Sequence, residues 1–209
     1  MKYLTTLFLA ICLLTSCAGV DNDSPVPTSA NEVTPLLIGA DVPELSLQNP
    51  VNQSVSLRDI GENGTLYVFY RGGWCPFCSA ELSGLAEIDT ELYRKGIEVV
   101  GISPDSPEFL QESITDQDLG YTLLSDNKME AAMAFGVAFR VDEETVRSLK
   151  ENGMDIEERS GQSHHMLPVP SLFLADADGK IVFQYVNPDY RQRVDKSIVM
   201  AAVNSMLEE

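Results

Sequence analysis

Two cysteines three positions apart, Cys75 and Cys78, are the side chains of this 209-residue chain best suited to covalent chemistry. They stand in Trp74-Cys75-Pro76-Phe77-Cys78, directly after the apolar run 65–70 and before a stretch, 79–95, with helical spacing of apolar residues. Two thiols this close can close a small disulfide ring and open it again. A thiol at a helix N-terminus has its thiolate favoured by unpaired backbone N–H groups and the helix dipole. A bridge over so short a loop removes little entropy from the unfolded chain, so the pair makes a poor staple and a good redox couple. Pro76 suits the first turn of the helix, where its missing N–H is not needed.

Several neighbours can attend such a couple. Arg71 is placed to favour a thiolate electrostatically, or it is a surface arginine of the loop. Glu81, one helical turn beyond Cys78, can relay the proton that the second thiol must lose, or it partners the helix dipole. Trp74 shields the pair and offers a stacking face, or it belongs to the core. His164 and His165 can tune a thiolate or carry protons where the fold brings them close; otherwise they are a solvated pair in an insertion. A zinc site needs two ligands beyond Cys75 and Cys78, and the sequence holds no second C-x-x-C. The expected site therefore takes no metal, flavin or haem.

The elements that must hold these residues follow from periodicity. Segments 45–48 and 55–57 alternate apolar and polar residues and read as a hairpin or an extended leader. Run 65–70 predicts a buried central strand. Leu82, Leu85, Ile88 and Leu92 then recur on one helical face, and Gly96 stops that helix. Strands are predicted at 97–103 and 121–124, with helices at 104–119 (after a loop) and 128–134. Segment 139–162 is charged, partly helical around 143–151, and reads as an insertion. Segments 171–175 and 180–186 form a hairpin through Asp178-Gly179, and 193–207 a last amphipathic helix. Strands alternating with helices predict an α/β fold with a mixed sheet and an antiparallel hairpin at one edge.

At the N-terminus, Lys2 and the apolar run 4–14 lead to Leu14-Thr15-Ser16-Cys17, which resembles a bacterial lipobox. The apolar run is too short to span a bilayer. The resemblance implies a signal peptide over 1–16, lipid on Cys17, a flexible polar tether over 17–35 and a folded domain over 36–209. Two or three acyl chains suffice for stable anchoring in a membrane of the bacterial cell envelope, and the absence of Asp after Cys17 favours outer-membrane sorting. The chain carries 32 acidic and 14 basic residues, a net charge of −18. That balance argues against nucleic acid as a partner.

With the motifs in view, the chain resembles a thioredoxin-fold protein. More narrowly, it is similar to the peroxiredoxin-like branch of the alkyl hydroperoxide reductase / thiol-specific antioxidant family. The resemblance rests on F-Y-R-G-G-W-C-P-F-C-S-A-E-L at 69–82, V-V-G-I-S-P-D at 99–105, L-L-S-D at 123–126, L-P-V-P-S-L-F-L at 167–174 and D-G-K-I-V-F-Q-Y-V-N-P-D-Y at 178–190. It implies that Pro170, after Val169, is a cis-proline beside the cysteines, its bend aiming free backbone groups at the approaching substrate, with Pro168 as the competitor for that role. It implies that Arg71 orients a peroxide oxygen and that Trp74, Pro76, Phe77 and Val169 contact substrate. Two positions depart from the pattern. Cys75 stands where a peroxiredoxin keeps a threonine and Arg71 where it keeps a proline, while Phe69 occupies the buried-aspartate position of thioredoxins. Helix-mouth logic makes an exposed Cys75 the nucleophile; the peroxiredoxin register makes it Cys78.

The resulting expectation is a lipid-anchored envelope enzyme that reduces peroxides through Cys75 and Cys78 and is re-reduced by an external dithiol. The alternative is disulfide exchange on envelope proteins with the same residues. A third reading is a non-enzymatic interaction module that docks through 139–162.

Overall fold

The computed structural model describes residues 26–58, 60–117 and 119–208. The signal peptide and Cys17 lie outside the described residues. A short 3-10 helix (Ala30–Glu32) leads into β1 (Ser46–Gln48) and β2 (Ser54–Ser56), then β3 (Gly64–Phe69), α1 (Pro76–Arg94), β4 (Ile97–Ser103), α2 (Pro107–Gln117) and β5 (Thr122–Ser125). There follow α3 (Glu130–Ala134), β6 (Ala138–Arg140), α4 (Glu143–Glu151), α5 (Ile156–Ser160), β7 (Met166–Pro168), β8 (Ser171–Asp176), β9 (Ile181–Val186) and α6 (Lys196–Leu207).

Seven strands form one mixed sheet in the order β2-β1-β5-β4-β3-β8-β9. β3, β4 and β5 run parallel, β8 pairs antiparallel with β3, and β9 pairs antiparallel with β8. The expected edge hairpin is thus β8–β9. β3 lies in the sheet's interior, between β4 and β8, and its residues are all buried. That explains its unbroken apolar run, since both faces of the strand are covered. Side chains alternate across it. Leu66, Val68 and Tyr70 meet Leu82, Leu85 and Leu92 of α1 and Val199 and Val203 of α6. Tyr67 and Phe69 face the other layer, where Phe135 packs at 4.9 Å from Phe69 and 5.1 Å from Phe173. The residue standing at the buried-aspartate position of thioredoxins therefore turns away from α1 into an aromatic cluster.

One expectation about the chain's organisation needs correction. The supposed tether does not extend to residue 35: Val26 and Leu36 pack against the core, and the Pro27 carbonyl accepts the Arg140 N–H at 2.7 Å. Apolar Val26 gains more from burial than a tether residue would, and the Ser29 side chain caps the 3-10 helix that follows. The insertion, for its part, is tied into the domain. β6 and β7 pair as a small second sheet, and Val141, Ile156 and Leu167 bury a core of their own, against which Trp74 packs.

Candidate active site

The parallel strands deliver the chain to α1 through 70–75. Cys75 is the N-cap residue, with extended backbone and no side-chain cap, and Pro76 opens the helix. The Cys75 carbonyl accepts N–H groups from Cys78 and Ser79 at 3.0 Å each, so both thiols are carried on the first turn. Both are free thiols. Contrary to the expectation of an exposed Cys75, it is only 1% accessible, and Cys78 is fully enclosed. The reason is packing: both cysteines belong to the apolar cluster that joins α1 to the sheet, with Trp74 laid against it.

The pair is electrostatically polarised. Cys75 is lowered from 9.0 to about 6, chiefly by the hydrogen bond from the Cys78 thiol, and further by the Cys78 backbone N–H, Arg71 and Arg193, against an opposing effect of burial. Cys78 is pushed up because its proton is held in that bond and because it is buried. One thiolate shared between two sulfurs settles on the outer one, where the helix end and two guanidinium groups face it.

Arg71 stands at this site as expected, but through partners the sequence concealed. Its guanidinium lies 4.4 Å from the Tyr190 ring centre and 5.0 Å from that of Trp74. Phe77, largely exposed, meets Tyr190 edge to face at 5.7 Å. Asn187-Pro188-Asp189-Tyr190 thus supplies an aromatic wall. Pro76 is exposed at the mouth.

Glu81 is paired with a residue that sequence reading missed. Arg193 Nε lies 2.7 Å from Glu81 Oε2, and its Nη2 donates to Cys78 Sγ at 3.6 Å. Burial raises Glu81 from 4.5 to about 7 although Arg193 pulls it down. A carboxyl near neutrality beside a buried thiol fits proton transfer. Both residues line a cleft of about 340 Å³ whose walls include Phe77, Ala80, Leu172 and Val194. The one advance signal was the density of arginine at 191 and 193, of which periodicity assigned Arg193 to a helix start.

The proline expectation fails. No cis peptide bond occurs among the described residues, so Val169–Pro170 is trans, the form an X-Pro bond ordinarily prefers. Nor are backbone groups left free there. The Val169 N–H donates to Val137, the Val169 carbonyl accepts Ser171 Oγ, and the Pro170 carbonyl accepts the Asn187 N–H. Hydrogen bonding beside the β6–β7 ladder consumes the groups expected to face substrate, and Val169 and Pro170 are both buried. Pro168 lies inside β7 and does not replace them. The histidines are likewise engaged away from the cysteines. His164 Nδ1 accepts the Met166 N–H and its Nε2 faces the Asn127 carbonyl at 2.9 Å, which fixes the Nε2–H tautomer; burial lowers its pKa. His165 Nε2 lies 3.0 Å from Glu157. Among the described residues, no group of three or more His, Cys, Asp or Glu is placed to hold a metal ion.

Comparison with known proteins adds kinship to this geometry. Residues 38–184 match the model of the AhpC/TSA family. "Peroxiredoxin Bcp" of Escherichia coli K12 is 30% identical over 168 residues, covering 80% of this chain and 96% of the relative. "Putative peroxiredoxin bcp" of Haemophilus influenzae is 37% identical over 105 residues, covering 50% of this chain and 68% of its own. Among solved structures, the Mycobacterium tuberculosis peroxidoxin BcpB superposes with a TM-score of 0.62 at 19% identity, covering 82% of this chain and 96% of that one. A peroxiredoxin-like protein from Aquifex aeolicus gives 0.65 at 17% identity, covering 83% and 89%. At these identities the structures speak for the fold, which is the expected thioredoxin-like one, and the sequence matches speak for descent: the chain belongs to the AhpC/TSA family of peroxiredoxins.

Proposed function

We propose that this chain is a thiol peroxidase in which Cys75 attacks peroxide and Cys78 resolves the product. The observation that carries the reading is the polarised pair: one thiol with a depressed pKa at the mouth of α1, hydrogen-bonded to a second, enclosed thiol. The Cys75 thiolate attacks an oxygen of the substrate; an S–O bond forms, the O–O bond breaks, and the alcohol or water leaves with a proton. The sulfenic acid on Cys75 then meets Cys78. The Cys78 sulfur displaces the hydroxyl, the S–O bond breaks and the S–S bond forms; Glu81 is positioned to take the Cys78 proton and pass it to the departing hydroxide, which leaves as water, while Arg193 balances the charge. An external dithiol reduces the disulfide by exchange. Arg71 faces the thiolate electrostatically and orients the peroxide; Trp74, Phe77 and Pro76 form the mouth. Lipid on Cys17 anchors the enzyme in the bacterial cell envelope, supported by the run 4–17.

Trp74 is the sole tryptophan and adjoins Cys75, so stopped-flow fluorescence reports each oxidation. Rapid, saturable oxidation by hydrogen peroxide or an alkyl hydroperoxide is expected. Oxidation no faster than that of a free thiol overturns the reading. Sulfenate trapping in the Cys78→Ser protein is expected on Cys75; trapping on Cys78 in the Cys75→Ser protein instead reverses the assignment.

A second reading, disulfide exchange on envelope proteins, is favoured by one observation: Cys75 stands where a peroxiredoxin keeps its threonine. Fast reduction of a mixed-disulfide peptide together with slow peroxide reaction would establish it.

A further inference from the structure

The two glycines before Trp74 and the insertion over 139–162 play no part in the chemistry above, yet they meet. Both oxygens of the Asp105 carboxylate, a side chain 1% accessible, are engaged. Arg159 of α5 donates through Nε to Oδ1 at 2.9 Å and through Nη2 to Oδ2 at 3.3 Å. The Gly73 N–H donates to the same Oδ2 at 2.8 Å. On its other side, the Gly73 carbonyl accepts Ser79 Oγ, from the first turn of α1, at 3.3 Å. A series of hydrogen bonds therefore links the insertion, through Asp105 and the two peptide groups flanking the Gly73 Cα, to the turn that carries Cys78.

The glycines make this approach possible. A Cβ at Gly73 would lie 2.0 Å from Ser113 Oγ, and one at Gly72 would lie 2.3 Å from Trp74 Nε1 and 3.0 Å from Asp105 Oδ1. Gly72 also has φ +140°, a backbone conformation that favours glycine. The insertion adds two further holds, one on the segment that carries Asp105 and one on the redox loop itself. The Arg159 carbonyl accepts the Ser106 N–H at 2.8 Å, beside Asp105. Trp74 rests against the insertion's own core of Val141, Ile156 and Leu167 as well as the cluster holding the cysteines. The Arg159 guanidinium lies 4.3 Å from the Phe109 ring centre, which braces it from α2.

We propose that the insertion is a clamp on the redox loop: Arg159 and Asp105 are positioning residues that hold Gly73 and Trp74 in place and keep Cys75 enclosed. The bidentate guanidinium–carboxylate geometry suits that task, because it fixes direction as well as distance. The clamp acts on the thiol pair whatever oxidant the pair meets, so its tests use no peroxide.

In the wild-type protein, amide hydrogen exchange is expected to find the Gly73 N–H protected although it lies in a loop; exchange at the rate of a free loop amide overturns the proposal. In Arg159→Met, acrylamide quenching of Trp74 is expected to rise, and alkylation of Cys75 to accelerate about tenfold or more. The alkylation is read at a pH where its thiolate is fully formed, so that access alone sets the rate. Arg159→Lys keeps the charge without the fork and is expected to fall between the two. Asp105→Asn retains an acceptor for Gly73 and is expected to shift both readouts less than Asp105→Ala. Lower melting temperatures with unchanged quenching and alkylation in the Arg159 variants would show a merely structural ion pair and sink the clamp.

Discussion

The asymmetry between the two sulfurs is set by groups that can be removed one at a time. The largest influence lowering Cys75 is the hydrogen bond from Cys78, and Arg71 acts more weakly. Titration of thiolate absorbance is therefore expected to show a larger upward shift of Cys75 in Cys78→Ala than in Arg71→Met; the reverse order contradicts the assignment. Because its folded pKa is depressed from 9.0 to about 6, Cys75 contributes stability that is present above pH 9 and lost as pH falls through 6. Glu81 has the opposite sign. Raised from 4.5 to about 7, it contributes stability that is full below pH 4.5 and lost as pH rises through 7. Urea unfolding of the wild type and Glu81→Gln should show the wild type's relative stability shrinking across that window. A difference independent of pH would mean that Glu81 keeps an ordinary pKa. Cys75, Cys78, Glu81, Trp74 and Arg71 were legible in the sequence because they lie within 71–81 and share one helix mouth. Arg193, Tyr190 and Asp105 were not, because their contacts join residues far apart in the chain and leave no periodic trace.

Strands and helices were legible wherever burial was one-sided or complete. The β4 bounds coincide with the predicted 97–103 run, and α1 begins at the proline that suits its first turn. What escaped was how the less regular segments dock. The charged stretch 143–151 is helical as expected, but the contacts with the redox loop come from Ile156, Arg159 and Leu167 beyond it, whose apolar or basic character fits a surface equally well. The N-terminal extension escaped for a similar reason: its hold on the domain combines isolated apolar contacts, Val26 and Leu36, with backbone contacts that leave no periodic trace. Gly136 has φ +69°, and a Cβ there would lie 2.0 Å from the Thr34 carbonyl oxygen. Gly136→Ala is expected to destabilise the protein by about 1–3 kcal/mol and to speed proteolysis near residue 34. Chemical denaturation and limited digestion check both, and an unperturbed digestion pattern would show that the extension is held elsewhere.

For the whole molecule, the acidic balance and the sequence at Cys17 bear on where the enzyme works. Incorporation of labelled palmitate and recovery with the membrane fraction are expected for the wild type, and both are expected to be lost in Cys17→Ser; a soluble, unlabelled wild type refutes the anchor. With a net charge of −18, the chain is repelled by an anionic bilayer, so the proposed lipid on Cys17 would have to supply the attachment. The early docking of Val26 then governs reach. Only residues 18–25 separate Cys17 from the packed chain. Even fully stretched, that leash spans about 30 Å, roughly the diameter of a small domain. Moored as proposed, the enzyme would patrol the layer next to its membrane, and the thiol that recharges it would have to come to that layer as well.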